Sequence, residues 1–452
     1  MRINVSVSTR SARVVVVALG LVAAACTDEP SAPGPAPAPG GPNPERVAGA
    51  VASAVTCDAG NGGITLPAGF CAVVVADHVG AARHVTTAAN GDVYVAINDD
   101  AKSGGVLALR DMNGDGKADV QTYFGEKGAN GIAWTSEYLY VAYPTHIVRW
   151  RMPTDGSLVP NGTPQMIVTA LPDSGDHFQK NIQLDGHGSM YVNVGSASNS
   201  CQVQNRVLHS PGIDPCPELP TRAGIWRFSA FVQNQTQKSG EHFAMGFRNT
   251  EALRWDAVRS TLYGIQHGRD MLHTNWPELF TEQQQADLPS EEYAKIDRGD
   301  DNGWPYCYHD WQKGRKMLAP EYGGDGNISG PRCDTKEKPM LTFPGHWAPN
   351  DLLFYTGAQF PAKYHDGAFV AFHGGHDRAP LPEEGFDVVF VPRVNGVPQA
   401  NWEVFANGFT GGGEPLPQNA AHRPMGLAQG PDGSLYVTDD QGGRIWRIVY
   451  GH

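Results

Sequence analysis

The stretch PDGSLYVTDD, residues 431–440, decides the fold. A turn built on Pro, Asp and Gly leads into a short apolar run with an aromatic ring at its centre, and polar residues close it. The same arrangement returns as NGDVYVAINDD (90–100), SEYLYVAYP (136–144), DGHGSMYVNVG (185–195), RSTLYGIQHG (259–268) and DGAFVAFHGG (366–375). Most copies are followed by a second β-rich run: GVLALRD after Gly105, HIVRWRM after His146, GIWRFSA after Gly224, DVVFVPR after Asp387 and RIWRIVY at the end. Strand pairs divided by turn chemistry and repeated every ~45 residues or more read as propeller blades. No amphipathic helical stretch of comparable strength competes. The expected architecture is therefore all-β, a six-bladed β-propeller over residues 51–452. The longer spacings among the later copies are read as inserted loops. A β-sandwich with an irregular second domain is the alternative.

Ahead of the repeats, Arg2, Arg10 and Arg13 precede the apolar VVVVALGLVAAA (14–25), which stops at Cys26. This run is too short for a comfortable membrane span and has the form of an export signal. Residues 1–26 resemble a lipoprotein signal, cut after Ala23-Ala24-Ala25 to leave a lipidated Cys26; an ordinary signal-peptidase site is the other reading. Residues 27–50 are rich in Pro, Ala and Gly and read as a semi-extended tether. The expected location is the bacterial cell envelope, with membrane attachment only through Cys26.

Lys plus Arg number 34 against 47 Asp plus Glu. Loss of residues 1–26 removes three arginines and leaves 31 against 47, a formal charge of −16. Such a surface repels nucleic acid and anionic lipid, so an anionic cofactor needs locally gathered cations. Six cysteines remain besides Cys26, an even number in an exported chain. Sequence proximity favours Cys57 with Cys71, Cys201 with Cys216 and Cys307 with Cys333. No Cys-x-x-Cys pair is present, so neither a zinc knuckle nor a c-type haem site is indicated.

One stretch reads as a cation site: DMNGDGKAD (111–119) places Asp111, Asn113 and Asp115 at alternate positions, then Gly116 and Asp119. This is the start of a calcium loop, although its twelfth position is Thr122 rather than a bidentate Glu. The loop is expected between blades.

For catalysis, His177 stands out because Asp176 adjoins it and SGDHFQKNIQLDGHGSMYV (174–192) runs directly into a blade strand. A neighbouring carboxylate can orient an imidazole and favour its charged form. In GFRNTEAL (246–253), Arg248 beside Asn249 offers a guanidinium fork suited to carboxylates or to charge developing on a carbonyl oxygen.

The ordered set DHFQKNIQLDG, GFRNTEALRWD, IQHGRD, GWPYC (303–307), AFVAFHGGHDR (368–378) and AHRPMGLAQGPDGSLYVTDD (421–440) resembles the soluble sugar dehydrogenases that depend on pyrroloquinoline quinone (PQQ). It looks closest to their sorbosone or pyranose dehydrogenase branch, over roughly residues 65–450. The resemblance implies a six-bladed propeller, PQQ and calcium as cofactors, a small sugar as substrate, and an external cytochrome or quinone as electron acceptor. It implies His177 as the base that takes the substrate hydroxyl proton, with Asp176 beside it. Arg248 and Asn249 would stand next to the quinone, and Asn130 matches another site position. Arg423 and Arg378 would meet the cofactor carboxylates, and the backbone carbonyls of Gly268 and Arg269 would hold the calcium.

Two departures are visible. Ala129 stands where glucose-oxidising members carry Gln, and their cofactor lysine has no clear counterpart, His373 and Arg378 lying nearby. Two rival readings come from other classes: a calcium-dependent lactonase, which needs an inward set of carboxylates and Asn, and a non-catalytic binding propeller.

Overall fold

Each quoted repeat becomes the second strand of a blade of four antiparallel strands, to which blade two adds a short fifth strand, Gln235–Thr236, parallel to Gln165–Thr169. The computed structural model describes residues 55–451. The expectations for residues 1–26 and 27–50, Cys26 included, lie outside them. Blade one comprises Ala82–Thr87, Val93–Ile97, Val106–Arg110 and Val120–Phe124. Blades two and three begin with the inner strands Gly131–Trp134 and Ile182–Leu184, and blades four and five with Ala252–Asp256 and Pro349–Phe354. In blade six, Pro424–Gln429, Leu435–Asp439 and Ile445–Tyr450 are joined by Phe70–Ala76 from the other end of the chain. That strand pairs Phe70 with Tyr450 and Val74 with Trp446, so the two ends of the described chain lock the ring through backbone hydrogen bonds. The six inner strands neighbour one another in turn and close around an axis.

A blade is packed on both faces by its neighbours, so its middle strands read as apolar runs rather than strict alternation. Val93–Ile97 and Leu435–Asp439 are buried at every position. Six apolar clusters fill the clefts between consecutive blades; the one between blades five and six is the richest in rings, with Phe360, Tyr364, Phe369, Phe390 and Phe405 around Phe70.

The long spacings are insertions on one face of the ring. Residues 195–223 lie between two strands of blade three, and residues 267–290 and 297–340 interrupt blade four. The disulfides Cys201–Cys216 and Cys307–Cys333 staple these insertions and pack against each other with Trp304 and Tyr306, while Cys57–Cys71 ties the first described residues to the closing strand. All three pairings are those favoured by proximity.

The DMNGDGKAD loop is placed differently from expectation. It joins Val106–Arg110 to Val120–Phe124, which pair directly, so it is a hairpin within blade one and not a connection between blades. Asp111 Oδ1 accepts the Gly114 N–H and Oδ2 the Gly116 N–H, both at 2.7 Å, and Asp119 accepts the Met112 N–H at 2.7 Å. The carboxylates of this loop thus fold its own backbone. Asn113 and Asp115 in turn accept the N–H groups of Asp115 and Lys117.

Candidate active site

Where an inner strand begins, the second strand ends and the third begins, all on one face of the ring. The chain segments at these points in blades three to six surround a cavity of ≈ 450 Å³. It is lined by Asp176, His177 and Arg248, by Gly268 of the turn after the second strand of blade four, and by Arg423 just before the last inner strand. Five residues singled out in the sequence therefore meet in one space.

His177 is oriented by Ser196, correcting the expectation that Asp176 does so. Its Nδ1 lies 2.9 Å from Ser196 Oγ and 3.1 Å from the Ser196 carbonyl, and Ser196 Oγ gives its own proton to the Ser198 carbonyl at 2.6 Å. Facing only acceptors, Nδ1 carries the hydrogen, which leaves the Nε2 lone pair for the cavity. Asp176 is drawn instead to Arg206, whose Nε is 3.0 Å away. Burial, and then the positive charge of Arg248, push the His177 pKa well below the usual histidine range. The imidazole is therefore neutral at pH 7 and available as a proton acceptor.

The close approach of the base depends on Gly195. A Cβ there would stand 2.5 Å from His177 Cβ. Gly195→Ala is expected to push the imidazole aside while the blade persists. With about a hundredfold lost per ångström of misplacement, kcat should fall at least tenfold, and because the same Cβ would stand 2.7 Å from the His177 carbonyl the melting temperature should fall as well, which steady-state kinetics on the folded variant and thermal unfolding check together.

Arg248 is almost wholly buried and donates through Nε to the Asn199 carbonyl at 3.1 Å and through Nη2 to Asp270 Oδ2 at 2.8 Å. Its Nη1 has no partner among the described residues. Asp270 also receives Arg206 at 2.9 Å and lies 3.6 Å from His346 Nδ1. Burial opposes charge on Asp270, but Arg248 and then His346 hold its carboxyl well below the usual range. His346 in turn donates Nε2–H to the carbonyls of Gln285 and Leu288. Burial disfavours its charged form, yet Asp270 and then Asp377 raise its pKa to about 9. Asp270, His346 and Asp377 are close enough to hold a metal. Two guanidinium groups and a protonated imidazole already balance them, however, so the cluster is an ion-pair network.

Arg423 donates Nε to the His373 carbonyl at 2.8 Å and Nη2 to that of Gly374 at 2.7 Å, and its Nη1 likewise has no partner among the described residues. No donor reaches the carbonyl oxygens of Gly268 or Arg269 among those residues. Glu291 Oε2 accepts the Gly268 N–H at 2.7 Å and sets the turn; burial raises the Glu291 pKa to about 7. Two free guanidinium arms and two free hard oxygens are what a polycarboxylate with a bound calcium ion requires.

Four expected site residues do not line the cavity. Arg378 spends its guanidinium on the carbonyls of Ala286, Gly345 and Pro382. Asn130 lies deeper on the axis, where it donates to Glu251 at 2.9 Å and accepts from Arg83 at 2.7 Å. Asn249 is turned towards Asn193, and the Arg269 side chain is paired with Glu321, leaving only its backbone for a ligand. Because Arg83 lies against Asn130 and within 4.0 Å of Glu251, these inward groups form no carboxylate cage of the kind a lactonase needs.

Sequence reasoning missed Arg206, Asp270, Glu291 and His346. A usable signal existed: Asp270 ends the quoted IQHGRD, and His346 precedes an inner strand just as His177 and Arg423 do.

The TrAA12-like family model matches residues 64–451. Similar solved structures include the pyranose dehydrogenase PQQ domain of Coprinopsis cinerea, 19% identical with a TM-score of 0.67 over 85% of this chain and 97% of that one. A Trichoderma reesei enzyme of carbohydrate-active family AA12 is 18% identical, with a TM-score of 0.69 over 86% of this chain and 97% of its own. At such identities these structures establish the shared propeller. An uncharacterised protein of Borreliella burgdorferi is 26% identical over 268 residues, 58% of this chain and 61% of that protein, so the match spans about three fifths of the curated relative's length. Matched by its model over the whole ring of blades, the chain belongs to the TrAA12-like family.

Proposed function

We propose that this chain is a PQQ- and calcium-dependent oxidoreductase acting on a sugar, either an aldose or pyranose or a sorbosone-type aldehyde. The reading is carried by one convergence: a neutral His177, Arg248 and Arg423 with their unpartnered Nη1 groups, and Gly268 with its unpartnered carbonyl line a single cavity. The relatives point the same way, since the Coprinopsis cinerea structure is a PQQ domain in its holo form and the Trichoderma reesei one is a calcium structure.

Bound there, PQQ supplies a two-electron acceptor and calcium the charge that polarises it. His177 Nε2 takes the proton from the substrate hydroxyl while Nδ1–H stays on Ser196, so the ring keeps its orientation. Arg248, its fork fixed by Asp270, holds positive charge where negative charge develops. Arg423 anchors a carboxylate, and the Gly268 turn, held by Glu291, presents hard oxygens to the cation. We further propose that the protein is exported, lipid-anchored at Cys26, and returns its electrons to an external cytochrome or quinone.

The test adds PQQ and calcium to the cofactor-free protein and follows dye reduction over a panel of aldoses and sorbosone. Saturable cofactor uptake with turnover of at least one sugar is expected; neither uptake nor turnover would overturn the reading. Arg423→Ala should weaken PQQ binding by about 10- to 100-fold, the worth of a hydrogen bond to a charged group, as read by absorbance titration.

A further inference from the structure

Lys180 follows His177 by three residues, and its side chain is completely buried, with 0% exposure. Its ammonium donates to the Pro172 carbonyl at 2.9 Å and to the Phe178 carbonyl. One acceptor lies before His177 and the other directly after it, so the charge gathers the strap of residues 172–180 around itself. Arg222 grips the same strap from the end of the blade-three insertion, through the Ser174 carbonyl at 2.7 Å. Burying an ammonium costs more than burying an apolar side chain of that size, and a lysine retained here does something that packing alone would not require.

We propose that Lys180 is a positioning residue for the base: its ammonium closes the strap and thereby sets where His177 Nε2 stands in the cavity. This rests on the reading of His177 as the base. The two bonds are charge-assisted, and such bonds are roughly twice as strong as neutral ones. Loss of the proton would therefore slacken the strap. Burial lowers the Lys180 pKa to about 7, against the support of the facing Glu251 and Asp173 carboxylates and with the opposition of Arg222. Because the strap is held by the protonated form, turnover should decline as pH rises through the neutral range.

The experiment measures kcat against pH, with melting temperatures, for the full-length holoenzyme and its Lys180→Met, Lys180→Arg and His177→Gln variants. Lys180→Met is expected to lose at least tenfold in kcat while staying folded and to show no alkaline decline. Lys180→Arg, charged throughout, should keep activity to at least one pH unit higher than wild type. An inactive His177→Gln together with a wild-type profile in Lys180→Met overturns the Lys180 assignment alone, whereas normal turnover by His177→Gln removes the base and with it anything to position. Should the Lys180 variants not fold, the NMR titration of the wild-type protein without cofactor decides: the His177 ring resonances must shift over the pH interval in which the Lys180 side chain titrates, and ring signals indifferent to that titration overturn the proposal.

Discussion

His177→Gln is expected to lower kcat by about 10²–10⁴, the usual worth of a positioned general base, while PQQ affinity stays within a few-fold of wild type. Gln retains a donor for Ser196 but offers no basic nitrogen to the cavity. The wild-type pH profile carries a second signature. Burial and Arg248 hold the His177 pKa below its ordinary 6.5, so the acid limb of kcat/KM should fall below that value. An acid limb above 6.5, or a Gln variant with normal turnover, would take His177 out of the mechanism.

Asp270→Asn is expected to be the most damaging change to stability. Its carboxylate is the shared counter-charge for Arg248 at 2.8 Å and Arg206 at 2.9 Å, and it lies against the protonated His346. Removing one partner of a buried ionic group typically costs about 3–5 kcal/mol, because the cations left behind have lost both water and their counter-ion. The pH dependence follows from the raised His346 pKa. A group held at about 9 when folded, against 6.5 when unfolded, contributes stability that is complete below 6.5 and lost as pH rises to about 9. In Asp270→Asn that alkaline decline should flatten. Denaturant unfolding at pH 6 and pH 9.5 reads both effects, and a variant as stable as wild type with the same alkaline decline would show that Asp270 is not the counter-charge of this cluster.

Much of the ring is legible because the second strand of every blade carries its own turn and is buried on both faces, as at Val93–Ile97 and Leu435–Asp439. The outer strands are weaker signals. Val120–Phe124 is exposed or only partly buried along its whole length, so solvent places little demand on its residues. The third strand of blade four, Glu291–Ile296, was hidden for another reason: an insertion with two short helices separates it from its repeat, and its first residue serves the cavity.

The site was half readable. His177, Arg248, Gly268 and Arg423 follow from the resemblance, and each stands at a strand end on the same face of the ring. Arg378 shows where such reading fails, for a guanidinium has five donors and a nearby set of backbone carbonyls satisfies them as well as a ligand would. Asp176 fails similarly: adjacency in the chain made it the expected partner of His177, but Arg206 offers its carboxylate an opposite charge and Ser196 supplies the acceptors that the imidazole needs.

From its sequence alone this protein is a closed ring of six sheets, because turn residues and apolar runs act locally and recur at every blade. Which polar groups meet is a different matter. The tertiary structure alone joins Asp270 to Arg206, Arg248 and His346, and Lys180 to the strap around the base, because pairing between distant segments depends on burial and geometry that no local pattern encodes.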